Sequence, residues 1–406
     1  MFLVIINMKK KIIISLLVFL AVLATLFISF KLVNYYKIKN AKILVKLNDN
    51  LDVNFLEKRK VSSFIKSING KITNDYLVDT KEIGKKKVKI NYINDDNIKV
   101  SYEFNVNVVD KVAPVIWLSN SYNIYLGDDS NLASKILCGD NYDSNPKCYI
   151  EGSYDPNEIG SYKLVYRAVD SSGNVSSKNF TLNVIKKNNS KKNNKETKYV
   201  YFNDVINEYK SNNNLIGIDV SKWQGDIDFD KVKKSGASFV MIKVGSSKLN
   251  DKNYILDPKF KYNIENAINS GLKVGIYFYS SANSNYDAKK EARWVLKQIK
   301  GYKIDLPIAF DWENFSYFNE FNLSFFGLTS MADTFINEVK KEGYDSVIYG
   351  SKNYLENIWL LDNQKVWLAH YTKKTNYNGN YIMWQLTEDG KIDGINTKVD
   401  IDILYN

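Results

Sequence analysis

Residues Ile12 to Phe30 are 19 consecutive apolar or small residues, preceded by Lys9-Lys10-Lys11 and closed by Lys31. At about 1.5 Å of rise per residue, a helix over this run spans roughly 28 Å, close to the hydrocarbon thickness of a bilayer. The run is long for a signal-peptide core, and no small-x-small cleavage site follows it. An uncleaved signal anchor over residues 1–40 is therefore expected, making the protein single-pass in the cell membrane. If the segment is cleaved instead, the protein is secreted. Lys31, Lys37 and Lys39 follow the span much as three lysines precede it, so charge leaves the orientation open. A carboxy-terminal bulk outside the cytoplasm suits the rest of the chain.

An internal repeat follows the span. Asp79 to Lys111 and Asp155 to Lys187 align without a gap at an offset of 76 residues, with Asp-x-x-Glu-Ile-Gly at Asp79 to Gly84 and again at Asp155 to Gly160. Alternating apolar positions such as Val106 and Val108 mark half-buried strands, and Ser171-Ser172-Gly173-Asn174 marks a hairpin turn. Two tandem all-β modules are expected, at 41–111 and 112–186, of a size and strand spacing that suit sandwiches. They resemble bacterial immunoglobulin-like repeats of surface proteins, and that resemblance implies a spacer or adhesive role. Cys138 and Cys148, the two cysteines of the chain, close a short loop in the second module. After a secretory segment they are expected to form a disulfide contributing about 2 to 3 kcal/mol through loop closure, two separate thiols being the alternative. Asp140, Asn141 and Asp143 are read as a solvated turn in preference to a calcium loop, because no bidentate acid stands at EF-hand spacing. Lys186 to Lys198 is a polar Lys/Asn/Ser run, and residues 187–214 are assigned to a linker.

The chain carries 56 Lys and Arg against 45 Asp and Glu, a net charge of +11. Residues 215–406 hold 23 Lys and one Arg against 24 acids, so the whole excess lies before them. With three Arg in the chain, base readout is poorly served and no nucleic-acid partner is expected. Anionic wall polymers or lipid headgroups are the partners that a basic amino-terminal half would attract, and a Lys/Asn compositional bias without a partner is the alternative. A single His and two Cys rule out an HExxH metal site and a four-ligand zinc site. No metal and no cofactor are expected. Carboxylates are the best-supplied catalytic groups that remain.

From Leu215 onward apolar runs alternate with helical stretches. Eight candidate strands fall in about 190 residues, and helical patterns in the first four gaps end at Gly236, Gly271, Gly301 and Gly343. A (β/α) barrel with short later units is expected over 215–406, its site at the carboxy-terminal strand ends. Asp219 stands near the end of the first strand, Asp311 and Glu313 end the fourth, and Asp400 falls in the last, with Asp402. Residues i and i+2 of a strand share a face, so Asp311 and Glu313 point into one cleft while Trp312 points away. Barrel closure makes Asp219 and Asp400 neighbours. Crowded carboxylates cannot all ionise, so one becomes a general acid while another stays charged, which is the equipment for glycoside hydrolysis.

Gly217-Ile218-Asp219-Val220-Ser221, Trp223-Gln224-Gly225, Gly275-Ile276-Tyr277, Asp311-Trp312-Glu313, Val366-Trp367-Leu368-Ala369 and Trp384-Gln385 before Val399-Asp400 occur in this order. Together they resemble glycoside hydrolase family 25, lysozymes that cleave the β-1,4 bond between N-acetylmuramic acid and N-acetylglucosamine in peptidoglycan. The resemblance implies Glu313 as proton donor, Asp311 as steering the substrate's N-acetyl group, and Asp219 and Asp400 as completing an acidic floor. Two segments depart from the family pattern: Val244-Gly245-Ser246-Ser247, and Asp402 where Asn is usual. Tyr277, Tyr279 and Trp384 are candidate sugar platforms, with the core as the alternative for Tyr279, and Gln385 and His370 are candidate polar contacts. The expectation is a membrane-anchored muramidase acting on peptidoglycan. A catalytically silent wall-binding or adhesion protein, or a glycosidase of chitin-like polymers, are the alternatives.

Overall fold

The computed structural model describes residues 2–117, 119–128, 132, 136–187, 198–248, 251–315 and 321–405. The chain forms two compact units, Met1–Lys111 and Val112–Asn406. In the first, a single helix, Phe2–Lys39, contains the apolar run, and its stretch Ile14–Lys39 is long and apolar enough to cross a membrane. The β module that follows pairs strands Gly84–Asn94 and Lys99–Val109 antiparallel, flanked by Gly70–Ile72 and, in parallel, by Asp52–Asn54. A separate two-stranded sheet joins Val45–Leu47 to Ile65–Ile68.

The module at the start of the second unit repeats this plan. Its long strands Gly160–Val169 and Val175–Ile185 begin 76 residues after their counterparts. Lys147–Glu151 and Ser121–Tyr125 flank them, and Val115–Trp117 pairs with Leu137–Gly139 in a small second sheet. The turn between the long strands is closed by Asp170, whose Oδ1 accepts from Asn174 N at 2.8 Å. Cys138 and Cys148 form a disulfide with Cα atoms 6.5 Å apart. Asp140 Oδ1 accepts from the amides of Tyr142 and Asp143, making a local turn. Most of the polar run 187–198 lies outside the described residues.

The remainder is a closed barrel of eight strands: β1 (Asn214–Val220), β2 (Phe239–Lys248), β3 (Lys273–Ser280), β4 (Ile308–Trp312), β5 (Ser346–Ser351), β6 (Val366–Ala369), β7 (Met383–Lys391) and β8 (Val399–Tyr405). Helices α1 (Phe229–Lys234), α2 (Phe260–Asn269), α3 (Asn285–Ile299), α4 (Phe325–Lys341) and α5 (Lys352–Asn357) fill five of the gaps. The four anticipated glycines all carry positive φ, from 73° to 97°, at helix ends where a side chain would be strained.

Three features correct the expectation. Strands β1 to β7 run parallel, but β8 lies antiparallel to both β7 and β1, because no helix separates it from β7 and the chain turns straight back. An additional strand, Asp251–Leu256, folds as a hairpin onto the end of β2. Part of the stretch assigned to the linker belongs to the barrel: Val200–Tyr201 pairs with β7, and Phe202 and Val205 of helix Phe202–Tyr209 are buried in its core.

Strands covered on both faces sort their side chains by parity. Ile218, Ile242, Ile276, Phe278, Phe310 and Ile348 pack outward under the helices. Phe239, Met241, Ala309, Val347, Trp367, Met383 and Leu404 form a second apolar cluster, which fills the lumen. Gly217 sits where a Cβ would lie 2.4 Å from Phe239 O and 2.6 Å from its ring, so β1 and β2 depend on its bareness.

Candidate active site

The lumen-facing parity that places Met241, Ala309 and Val347 in the apolar plug brings Lys243, Asp311 and Tyr349 to its upper end, two residues further along each strand. Asp219 enters from β1 and lies opposite Asp400 in the antiparallel register with β8, while Gln385 of β7 lies opposite Asp402. Asp219, Asp311 and Asp402 are buried, whereas Glu313, just past the end of β4, is exposed. Trp312 between the two acids is fully buried on the other face and donates Nε1–H to Ala282 O at 2.9 Å.

Asp219 and Asp402 are held by side-chain donors. Gln385 Nε2 donates to Asp219 Oδ2 at 2.7 Å, and Gln385 Oε1 accepts from Tyr349 OH at 2.9 Å and Tyr371 OH at 3.0 Å. Trp367 Nε1 donates to Asp402 Oδ1 at 2.8 Å. Burial, followed by the neighbouring charge of Asp402, pushes the Asp219 carboxyl well above the carboxylate range. Burial and then Asp219 push Asp400 up to about 9, and burial and then Asp400 raise Asp402. Asp311 is raised by burial and then by Glu313 beside it, with Lys243 opposing. Burial and mutual repulsion thus both oppose a full set of charges on these acids. Asp311 Oδ1 is buried without a hydrogen-bond partner.

Above this floor Glu313, Phe315, Tyr349, Lys352, Tyr354, His370 and Tyr371 line an open cleft of about 520 Å³. His370 faces it with Nδ1 2.9 Å from Thr375 Oγ1, and burial together with Lys352 lowers its pKa. Tyr277 and Tyr279 share the lumen-facing side of β3 and are half-buried, with Lys243 Nζ 5.9 and 4.7 Å from their ring centroids. Burial and then the charge of Glu313 push the Tyr279 hydroxyl up to about 12.

Two candidates fall elsewhere. Trp384 is 3% exposed, packs edge-on against Tyr209 at 5.9 Å, and donates Nε1–H to His370 O, so it offers no open face to a sugar. Gln385 beside it faces the lumen, and neighbours on a strand cannot share a face. Gln385 is itself buried and holds Asp219, which makes it a support for the acids rather than a contact at the rim. Asp402, Tyr349, Tyr371 and Lys243 were not anticipated as site residues. The i+2 relation to Asp400 signals Asp402, and the strand-end position signals Tyr349. Tyr371 and Lys243 had no comparable signal.

Residues 218–395 match the sequence profile of glycosyl hydrolases family 25, a match that does not extend to the amino-terminal region. The autolytic lysozyme of Clostridium acetobutylicum is 30% identical over 189 residues, 46% of this chain and 54% of that protein. The uncharacterized protein YegX of Escherichia coli O157:H7 is 30% identical over 192 residues, 46% of this chain and 68% of YegX. Lysozyme M1 of Streptomyces globisporus is 29% identical over 202 residues, 45% of this chain and 65% of that enzyme. The chain thus spans about half to two thirds of the length of these curated relatives.

Proposed function

We propose, from the premise that this chain belongs to glycosyl hydrolases family 25 through residues 218–395, that it is a muramidase hydrolysing the β-1,4 bond between N-acetylmuramic acid and N-acetylglucosamine in peptidoglycan. The observation that carries the proposal is the convergence of Asp219, Asp311, Asp400 and Asp402 beneath an exposed Glu313 at the edge of one open cleft. Glu313 passes a proton to the glycosidic oxygen as the bond to C1 breaks. Asp311 Oδ1 accepts the N–H of the substrate's acetamido group, turning its carbonyl oxygen toward C1 to close an oxazolinium. Water then opens that ring and returns a proton to Glu313. Asp219, Asp400 and Asp402 complete the acidic floor beside Asp311, and Tyr277 and Tyr279 meet the sugar from β3. Helix Phe2–Lys39 anchors the protein in the cell membrane, with the barrel on the wall side.

The test is Glu313→Gln. It should lower the release of reducing-end N-acetylmuramic acid from purified peptidoglycan by about 10²- to 10⁴-fold while leaving the thermal midpoint unchanged. Turnover at the wild-type rate would remove Glu313 from the acid's role. No reducing ends from the wild-type protein would leave a wall binder, and preference for chitin oligomers over peptidoglycan would change the substrate.

A further inference from the structure

The second β module meets the barrel on the side where the connection from β4 to α4 begins and ends. At its beginning, four rings run without a break from module to site. The Trp117 ring centroid lies 5.2 Å from that of Tyr354, Tyr354 stacks on Phe315 at 3.6 Å, and Phe315 meets Trp312 edge-on at 4.9 Å. Glu313 lies in the sequence between the last two of these rings, and Phe315 and Tyr354 line its cleft. At the end of the connection, the amides of Phe325 and Phe326 open helix α4 and donate to Asp140 O at 2.8 Å and Asn141 O at 3.2 Å in the module. The first amides of a helix lack partners within it, so another module's carbonyls fix where α4 starts. Ser324 caps the same turn by accepting from Gly327 N at 3.1 Å.

These contacts come from one small sheet of the module. Trp117 pairs with Leu137, and the strand Leu137–Gly139 leads directly into Asp140. Val115, Trp117 and Leu137 all pack against the barrel core. Cys138 in that strand is bonded to Cys148, which lies in register with Ala168 of the module's main sheet, so the contacting sheet is fastened covalently to the rest of the module.

We propose that the second β module is a positioning part of the hydrolytic site, in which Trp117 braces the connection that opens with Glu313. The proposal rests on Glu313 being the acid and replaces a spacer role for this module. A ring packed on Tyr354 keeps Phe315 against Trp312, and this limits the excursions of Glu313, one of the two residues between them. Misplacement of an acid by about 1 Å lowers turnover by up to roughly 10²-fold, so a brace acts on kcat more than on substrate affinity.

Full-length protein in detergent, with Trp117→Ala and Trp117→Phe, tests this on soluble glycan strands together with amide exchange. The expected result for Trp117→Ala is a fall in kcat of about tenfold or more with KM within about twofold of wild type. Exchange at Phe325 and Phe326 should be about tenfold faster, and Trp117→Phe should restore most of both. Should Trp117→Ala expose the module's own core at Tyr166 and Leu182 to exchange, Trp117→Leu carries the same test, since it keeps apolar contact and removes the ring. Faster exchange with kcat unchanged would overturn positioning, and unchanged exchange would overturn the brace. Wild-type protein that releases no reducing ends would sink the muramidase reading, while the exchange measurement still decides whether Trp117 holds the connection.

Discussion

Glu291 lies behind the site, 1% exposed on α3, with Ser247 Oγ and Ser280 Oγ each donating to its carboxyl at 2.6 Å. Those serines accept the amides of Ser281 and Ala282, and the same loop accepts Asn314 Nδ2 at Ser280 O and Trp312 Nε1 at Ala282 O. The residues on either side of Glu313 are thus held by a loop that hangs on one buried acid. Burial pushes Glu291 up to about 7 from its ordinary 4.5, against the two serine hydrogen bonds. A folded-state pKa raised in this way gives stability that is complete below about 4.5 and lost as pH rises through about 7. The loss is about 3 kcal/mol for one group. Melting curves of wild type and Glu291→Gln should therefore diverge from pH 5 to pH 8, with the variant gaining relative to wild type; parallel curves would exclude this role. At this scale Asp219, Asp311, Glu313 and Asp400 were legible because strand parity and strand-end position can be read without coordinates. Trp384 was read as a sugar platform from its place near the end of the seventh strand, although its neighbour Gln385 occupies the inward face. Lys243 and Glu291 were illegible, since their meaning depends on which residues of other strands stand opposite.

Among the elements, the strands were legible as apolar runs covered on both faces, and the helix ends as glycines. The direction of β8 was not. An antiparallel return and a parallel crossover leave the same apolar run, and only the missing helix between Leu386 and Val399 hinted at the reversal. The reversal matters to the chemistry, because it brings the beginning of β8, rather than its end, to the face where the other strands finish. Asp400 lies second in β8 and still meets Asp219 at the site. The close approach of β1 and β2 at Gly217 makes a further prediction. Alanine there would meet a backbone oxygen that cannot rotate aside, so Gly217→Ala should destabilise the barrel by about 1 to 3 kcal/mol. A denaturant midpoint equal to wild type would mean that β1 and β2 can separate without cost.

For the whole molecule, the excess positive charge lies before a barrel of zero net charge. Raising salt from about 50 to 500 mM should weaken association of the full chain with anionic walls more than it slows turnover on soluble strands. Equal sensitivity of both would place the relevant charge in the barrel. If helix Phe2–Lys39 is an uncleaved anchor, the full-length chain stays with membranes through an alkaline carbonate wash; a soluble form shortened by about 30 residues would show cleavage instead. Strand β8 also sets an order in time. Asp400 and Asp402 belong to the last barrel strand in the sequence, so a chain that already holds Asp219, Asp311 and Glu313 gains its remaining floor acids only when β8 seats itself between β7 and β1. Closing the barrel and completing its acidic floor are therefore a single event.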